Sequence, residues 1–284
     1  MKYNVLYNPY SANGTGADLA LKVKDSIQGD FEFFNMVEIN DFNSFFEENK
    51  DDIIICGGDG TLNYFINHTK NIKYKNNILY YSTGTGNDFY NEVGNNTEMP
   101  FRINEYLDDL PIATVNDKDY YFLNGIGYGI DGFCCEEKDR LYAKKNKPVN
   151  YTLIALKGLL YKYRRVNAKV TVDGVVYKFK NVWLSPTMNG KFYGGGMKIA
   201  PNQDRLNKER TVTTVVVYSK TRLIPLIYFP LIFTGNHVNK NHNIKIFEGN
   251  EIKVEFDRPT ALQIDGETFL NINEYKVKTR IKKS

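Results

Sequence analysis

Asp52-Ile53-Ile54-Ile55-Cys56-Gly57-Gly58-Asp59-Gly60-Thr61-Leu62 is the stretch on which the reading of this chain turns. Its first half is an unbroken apolar run, Ile53 to Cys56, closed by glycines, which is the pattern of a short strand buried on both faces. Leu62, Phe65 and Ile66 then recur at helical spacing, so the glycines mark a strand-to-helix turn. The same order occurs upstream, where Val5-Leu6-Tyr7 stops at Asn8-Pro9 and the polar run Ser11 to Gly16 leads to Leu19, Val23 and Ile27 on one helical face. It occurs again downstream, where Ile78 to Tyr81 precedes Gly84-Thr85-Gly86-Asn87-Asp88 and another helix start. Successive strand-helix units predict an α/β domain with a mostly parallel, Rossmann-like sheet, whose ligands sit beyond the carboxyl ends of its strands.

The texture changes near Leu110-Pro111. Val170-Thr171-Val172 and Val175-Val176-Tyr177 flank Asp173-Gly174, a hairpin signal, and β-like runs follow at Thr211 to Tyr218, Ile244 to Phe247 and Ile252 to Phe256. Helical patterns interrupt them near Asn150 to Arg164 and Thr221 to Phe233. The expected organisation is an α/β domain over residues 1–118 and a β-rich antiparallel domain over 119–274. A last strand, about 275–284, alternates Tyr275, Val277, Thr279 and Ile281 with a basic face and is allowed to return to the first domain.

Composition narrows the function classes. The 284 residues give room for two modest domains of about 150 residues each. With 42% hydrophobic and 25% charged residues, disorder is excluded. The 37 basic and 33 acidic residues leave a net charge of +4, too even a mixture for nucleic-acid binding but suited to an anionic membrane face. Leu223 to Phe233 is the longest apolar stretch, broken by Pro225 and Pro230, whereas a spanning helix needs roughly 20 residues. Met1 to Leu6 runs directly into a strand-like segment with no signal region, so a cytoplasmic location is expected. Cys56, Cys134 and Cys135 are an odd number without metal-ligand spacing, and His68, His237 and His242 form no HExxH pattern. The histidines read as structural or exposed.

Chemistry concentrates in the turns. Glycines at Gly57, Gly58 and Gly60 let a backbone approach a phosphate, and the N–H groups of the helix start favour negative charge. Asp59 complicates this, because a carboxylate about 4 Å from a phosphate charge costs on the order of 4 kcal/mol at an effective dielectric of 20. Its presence points to an intervening Mg²⁺ or an orienting hydrogen bond; the plain reading is a tight turn with an Asp helix cap. The Thr83 to Phe89 turn and Asn8-Pro9-Tyr10-Ser11 lie at equivalent strand ends, and three such loops on one edge could enclose a nucleotide.

With Gly57 to Thr61 and Gly84-Thr85-Gly86-Asn87-Asp88-Phe89 together, the chain resembles the diacylglycerol kinase catalytic-domain family, the lipid kinases that include sphingosine kinases. Asn124-Gly125-Ile126-Gly127-Tyr128-Gly129 resembles that family's glycine-rich opening of the β domain, Gly194-Gly195-Gly196-Met197 with Ala200-Pro201 its GGG and AP signature, and Asp265-Gly266-Glu267 its DGE. The resemblance covers nearly the whole chain in order; the GGDGT turn alone is shared with NAD kinases. It implies ATP-dependent phosphorylation of a lipid hydroxyl and an NAD kinase/diacylglycerol kinase-like fold, a nucleotide domain plus a C-terminal β-sandwich with a cleft between domains. It places Asn8 and Ser11 beside the nucleotide, Gly57, Gly58, Asp59, Gly60 and Thr61 at its phosphates, and Gly84, Thr85, Gly86, Asn87 and Asp88 on the adjoining wall. Asp59 and Asp88 would meet Mg²⁺ through the nucleotide or water; Asp265 would be the general base and Glu267 its acidic partner. Apart from the resemblance, Asp265-Gly266 also reads as an ordinary turn like Asp173-Gly174.

This sequence departs from the family pattern in three places. Asn207-Lys208-Glu209-Arg210-Thr211 stands where an acidic segment associated with a structural Mg²⁺ is usual, Ala12 stands where glycine commonly follows the serine, and Asn91 replaces a frequent arginine. The expected protein is a lipid kinase using ATP and Mg²⁺ on a diacylglycerol-like alcohol, cytoplasmic and peripheral at the inner membrane face. No nucleic-acid partner is expected, and a homodimer is left open. The apolar segment Leu223 to Phe233 could bind an acyl chain, enter a bilayer or pack in the core, and Lys144-Lys145, Lys147, Lys162, Arg164 and Arg165 form a basic neighbourhood. Two alternatives stand beside this: an NAD kinase-like enzyme, and a nucleotide- or lipid-binding regulator without turnover.

Overall fold

A computed structural model describes residues 1–84, 87–94, 96–145, 151–240 and 242–279. The chain forms two compact units, Met1–Leu110 and Pro111–Ser284. In the first, β1 (Lys2–Tyr7), β2 (Asp30–Asn35), β3 (Asp52–Gly57), β4 (Ile78–Ser82) and β5 (Phe101–Arg102) form one sheet in the order β2-β1-β3-β4-β5. The first four are parallel and the short β5 is antiparallel to β4. Ile53, Ile54 and Ile55 are fully buried because β3 lies in the middle of the sheet. At about 1.5–3 kcal/mol for each buried side chain, this run anchors the unit. The helix Asp59–His68 follows β3 directly and turns Leu62, Phe65 and Ile66 to the core, as their spacing predicts.

The second unit is all antiparallel in its sheet. Its strands are β6 (Ile112–Val115), β7 (Lys118–Tyr121), β8 (Gly125–Tyr128), β9 (Val166–Val172), β10 (Val175–Leu184), β11 (Thr187–Met188), β12 (Val212–Tyr218), β13 (Ile244–Gly249), β14 (Glu251–Ile264) and β15 (Glu267–Lys278). The Asp173-Gly174 hairpin forms as read: Val172 faces Val175, and both turn residues have positive φ, +47° and +83°. β14 changes partner along its length. Ile252 to Phe256 pair with β9, whereas Leu262 to Ile264 pair with β8, and the register against β15 shifts between Glu255 and Leu262. Because β9 also pairs with β10, the sheet returns on itself around a core that includes Val170, Val182, Val254 and Leu262, with Tyr128 stacked on Phe256 at 3.8 Å.

Two boundaries differ from the sequence reading. The first unit ends at Leu110 rather than near residue 118, because the β6–β7 hairpin pairs with β15 and so joins the second sheet. Tyr275 to Lys278 pair with β14 and β6, so the last strand stays in the second unit; residues 280–284 lie outside the described residues. The helix Ile130–Lys145 has no sequence counterpart above, since its apolar positions follow no single face. The two helical patterns appear as Tyr151–Lys157 continuing into a π-helical turn Gly158–Lys162, and as Leu223–Thr234. Among the described residues no helix is long and apolar enough to cross a membrane, and the three cysteines are buried and unpaired.

Candidate active site

Parallel pairing places the turns after β1, β3 and β4 on one edge of the first sheet, since Tyr7 is in register with Cys56 and Cys56 with Tyr81. Two of them are locked together. The Asp59 carboxylate accepts the backbone N–H groups of Asp88 (2.7 Å) and Phe89 (3.2 Å), so the acid of the turn after β3 caps the helix Asp88–Val93 that follows β4. Glycine is needed for this approach: a Cβ on Gly84 would come within 2.8 Å of the Gly58 Cα and 2.4 Å of Asn87 Oδ1. Asn87 holds the second turn by donating to Ser82 Oγ and the Gly84 carbonyl, both at 2.5 Å. Thr85 and Gly86 lie outside the described residues. The orienting hydrogen bond thus accounts for Asp59 at this turn, and the sequence reading allowed for it.

The turn after β1 is shaped by its own side chains. The Asn8 carbonyl accepts both the N–H (3.1 Å) and the hydroxyl (2.7 Å) of Ser11, and Asn8 Oδ1 accepts the Tyr10 N–H at 2.9 Å. Beyond it Ala12, Asn13 and Gly14 all have positive φ, of +49°, +59° and +89°. Ala12 therefore carries a Cβ in the left-handed region, at the position where the family pattern has glycine. Ala12→Gly is expected to stabilise the protein by about 0.5–1 kcal/mol, seen as a higher urea midpoint, after the added freedom of the unfolded glycine is subtracted.

The paired turns leave room for a ligand. Among the described residues a Cβ on Gly60 would meet nothing within 4 Å, and its φ is not in the left-handed region, so no packing among them requires glycine there. Two buried polar atoms at these turns, Thr61 Oγ1 and Asn87 Oδ1, have no hydrogen-bond partner among the described residues. Open space over a helix N-terminus, where backbone N–H groups favour negative charge, fits the phosphates of a nucleotide; the buried Asn87 Oδ1 is an acceptor and is not one of the groups that would meet them. Among the described residues no three His, Cys, Asp or Glu side chains come together as metal ligands, so a Mg²⁺ here would draw much of its ligand set from phosphate oxygens and water.

In the second unit the candidate acid sits at the tip of the β14–β15 hairpin. Asp265 has φ +45° and Gly266 φ +94°, and the Asp265 carboxylate is gripped by three successive N–H groups, of Leu123 (2.5 Å), Asn124 (2.9 Å) and Gly125 (2.9 Å). Asp265 returns its own N–H to the Gly125 carbonyl at 3.1 Å. Glu267, two residues on, is exposed at the start of β15. The Asp265-Gly266 pair is a turn, and a turn whose carboxylate is aimed by backbone donors.

The opposite side of that three-residue segment is held by a residue the sequence reading passed over. Arg205 is buried and donates to the Leu123 carbonyl (2.9 Å) and to Asn124 Oδ1 (3.2 Å). Its loop is closed by Asn207, which donates to the carbonyls of Asp204 (2.6 Å) and Thr211 (3.0 Å) and accepts the Thr211 N–H at 3.0 Å. Side-chain amide bonds thus order the stretch where acidic residues are usual. A lone arginine in a polar loop has no periodicity or motif to mark it.

Asp131 was also missed. It lies in the first turn of the helix Ile130–Lys145, and its Oδ2 is sealed from water without a hydrogen-bond partner among the described residues. Burial pushes its carboxyl up to about 7, against the opposing pull of a Tyr193 hydrogen bond. The folded form therefore keeps a proton that the unfolded chain loses above its ordinary carboxyl pKa of about 4. Stability should fall as pH rises from about 4 to about 7 and level off above that. Asp131→Asn is expected to flatten this part of the stability profile and raise the Tm at pH 7.5, as measured by calorimetry across that pH range.

His68 is exposed at its helix end, stacked on Tyr64 at 3.8 Å, and His237 is buried with Nε2 2.9 Å from the Ile199 carbonyl, so both read as structural. The Gly194–Gly196 signature is a tight turn across which Tyr193 and Met197 exchange backbone hydrogen bonds of 3.1 Å each.

With these sites in place, the comparisons with known proteins point one way. Residues 2–113 match the diacylglycerol kinase catalytic domain and residues 124–276 match the YegS C-terminal NAD kinase beta sandwich-like domain. The chain belongs to the diacylglycerol kinase catalytic-domain family. A diacylglycerol kinase of Mycobacterium tuberculosis, known from two strains, is 25% identical over 196 residues, which are 66% of this chain and 62% of that protein. The match thus spans less than two thirds of that relative's length. A solved structure of a diacylglycerol kinase from Bacillus anthracis shares the fold, with a TM-score of 0.66 at 22% identity, covering 98% of this chain and 93% of that one. A second Bacillus anthracis structure gives a TM-score of 0.70 at 20% identity, over 98% and 92% of the two chains.

Proposed function

We propose that this protein is a lipid kinase that transfers the γ-phosphoryl group of ATP to the hydroxyl of a diacylglycerol-like lipid at a membrane face. The observation that carries the reading is the pair of turns tied by Asp59, with open space among the described residues over Gly60 at the start of the helix Asp59–His68. Phosphoryl transfer asks the protein for positioning and charge compensation more than covalent chemistry, and glycine turns at a helix N-terminus supply both. Asn8 and Ser11 shape the neighbouring turn. Mg²⁺ arriving with ATP would neutralise developing charge on the transferred group, with Asp59 and Asp88 meeting it through the nucleotide or water.

In this reading Asp265 receives the proton of the attacking hydroxyl. Three backbone donors fix the direction of its carboxylate, and in a loose transition state the orientation of the hydroxyl matters more than the strength of the base. Glu267 adds negative charge beside it.

The test is an acceptor screen. Purified protein with labelled ATP and Mg²⁺ is offered dispersed diacylglycerol, other lipid alcohols and, because the second unit matches an NAD kinase-like sandwich, NAD. Label in the lipid extract supports the proposal. Label in NADP would replace it, and nucleotide binding with no labelled product would leave a regulator. Gly60→Ala separates folding from binding: it should raise stability by about 0.5–1 kcal/mol through helix propensity and weaken ATP at least tenfold, read by thermal melting and titration calorimetry.

A further inference from the structure

Two apolar helices of the second unit are bound side by side, and each exposes aliphatic side chains. Leu223 to Phe233 contains no charged residue; one face buries Pro225, Tyr228 and Ile232, yet Leu223 is 63% and Ile227 49% exposed on the other. A helix apolar on all sides is expected to be covered all round. Its neighbour, Tyr151–Lys157 with the turn Gly158–Lys162, buries Ile154 and Leu159 and exposes Leu153 and Leu160 at 54% and 48%. Arg222, at the N-cap of the first helix, donates to the carbonyls of Leu159 (2.9 Å) and Tyr163 (3.0 Å), and its guanidinium lies 5.4 Å from the centre of the Trp183 ring. The exposed leucines of both helices therefore belong to one rooted surface.

Charge says what covers it. Residues 151–166 and 219–240 contain no acidic residue; Lys162 is paired with Glu137 at 3.1 Å and Arg165 and Arg222 are turned to backbone carbonyls and the Trp183 ring, which leaves Lys157, Arg164, Lys220 and Lys240 as the basic rim, in a chain with 33 acids overall. Face-to-face docking of two copies would bring these like charges together. An anionic bilayer takes both features, since aliphatic side chains enter the acyl boundary while lysine and arginine remain among the headgroups.

We propose that the exposed faces of helices 151–162 and 223–234 form the surface by which this protein docks on an anionic phospholipid bilayer. As the partner surface for a lipid acceptor it extends the kinase reading, but the docking is measurable without catalysis. The experiment is co-sedimentation of the full chain with vesicles of phosphatidylcholine alone or with 30 mol% phosphatidylglycerol, lacking diacylglycerol and nucleotide. The expected result is binding to the anionic vesicles that weakens with salt. Leu160→Glu with Leu223→Glu should reduce it at least tenfold, and Lys157→Gln or Lys220→Gln each about fivefold, the equivalent of about 1 kcal/mol per charge. Both leucines are exposed, so circular dichroism and Tm should be unchanged, and turnover of a short-chain acceptor in detergent should persist. No binding to anionic vesicles, equal binding by the glutamate variant, or a dimer abolished by those substitutions would each overturn the docking surface. Vesicle binding without any kinase activity would instead overturn the functional reading and leave the surface standing.

Discussion

Asp265→Asn is expected to lower phosphoryl transfer to lipid by roughly 10²–10⁴-fold, the range by which positioned proton acceptors act. The side chains are nearly isosteric, so the loss would come from chemistry and aim. The asparagine carbonyl can still accept from Asn124 and Gly125, but its NH₂ would face the Leu123 N–H, two donors opposed where a carboxylate oxygen now accepts at 2.5 Å. That lost charged bond costs about 1.5–3 kcal/mol, so the Tm of the variant should fall by several degrees. ATP affinity should stay within about twofold, because the turns proposed to hold the phosphates belong to the other unit. Steady-state kinetics with calorimetric titration of ATP checks this, and turnover within threefold of the parent would remove Asp265 from the mechanism.

Arg205→Met is expected to cost about 3 kcal/mol of stability. Methionine fills much of the same volume but abandons two hydrogen bonds from a charged donor; the Leu123 carbonyl keeps its bond from Asn189 Nδ2 (2.9 Å), whereas Asn124 Oδ1 loses the arginine in a buried place. Near 2–4 °C per kcal/mol for a unit of this size, the Tm should drop by roughly 6–12 °C. The same three-residue segment aims Asp265, so kcat should fall more than the KM for ATP. Arg205→Lys should recover part of the stability but less of the rate, since one ammonium cannot reproduce the two-pronged contact. A melt within 1 °C of the parent would show that the segment holds itself.

The parallel sheet was legible because Ile53 to Cys56 announces a strand buried on both faces, and the turns were legible because glycine and hydroxyl residues sit where strands must stop. The hairpin at Asp173-Gly174 declared itself by turn chemistry alone. The helix Ile130–Lys145 did not, because its neighbours pack on it from several directions and no single apolar face results. The limit of the first unit shifted for a similar reason: β6 and β7 are paired through β15, more than 150 residues away, and local pattern carries no information about a partner at that distance. Asp59 and Asp265 were visible as acids in glycine turns, whereas the backbone N–H groups that donate to their carboxylates have no side-chain signature at all. Arg205 and Asp131 were invisible because burial, which gives each its meaning, is a property of the folded chain.

The change of partner along β14 has a corollary. Between Phe256 and Leu262 the strand leaves one neighbour for another, and the irregular pairing there sets the phase in which the hairpin tip is delivered. Strand side chains alternate with a period of two, so inserting or deleting a single residue in 257–261 would invert the aspect of everything beyond it, carrying Asp265 to the wrong face. A one-residue length change in this short span is therefore expected to misdirect Asp265, whereas a two-residue change keeps the alternation.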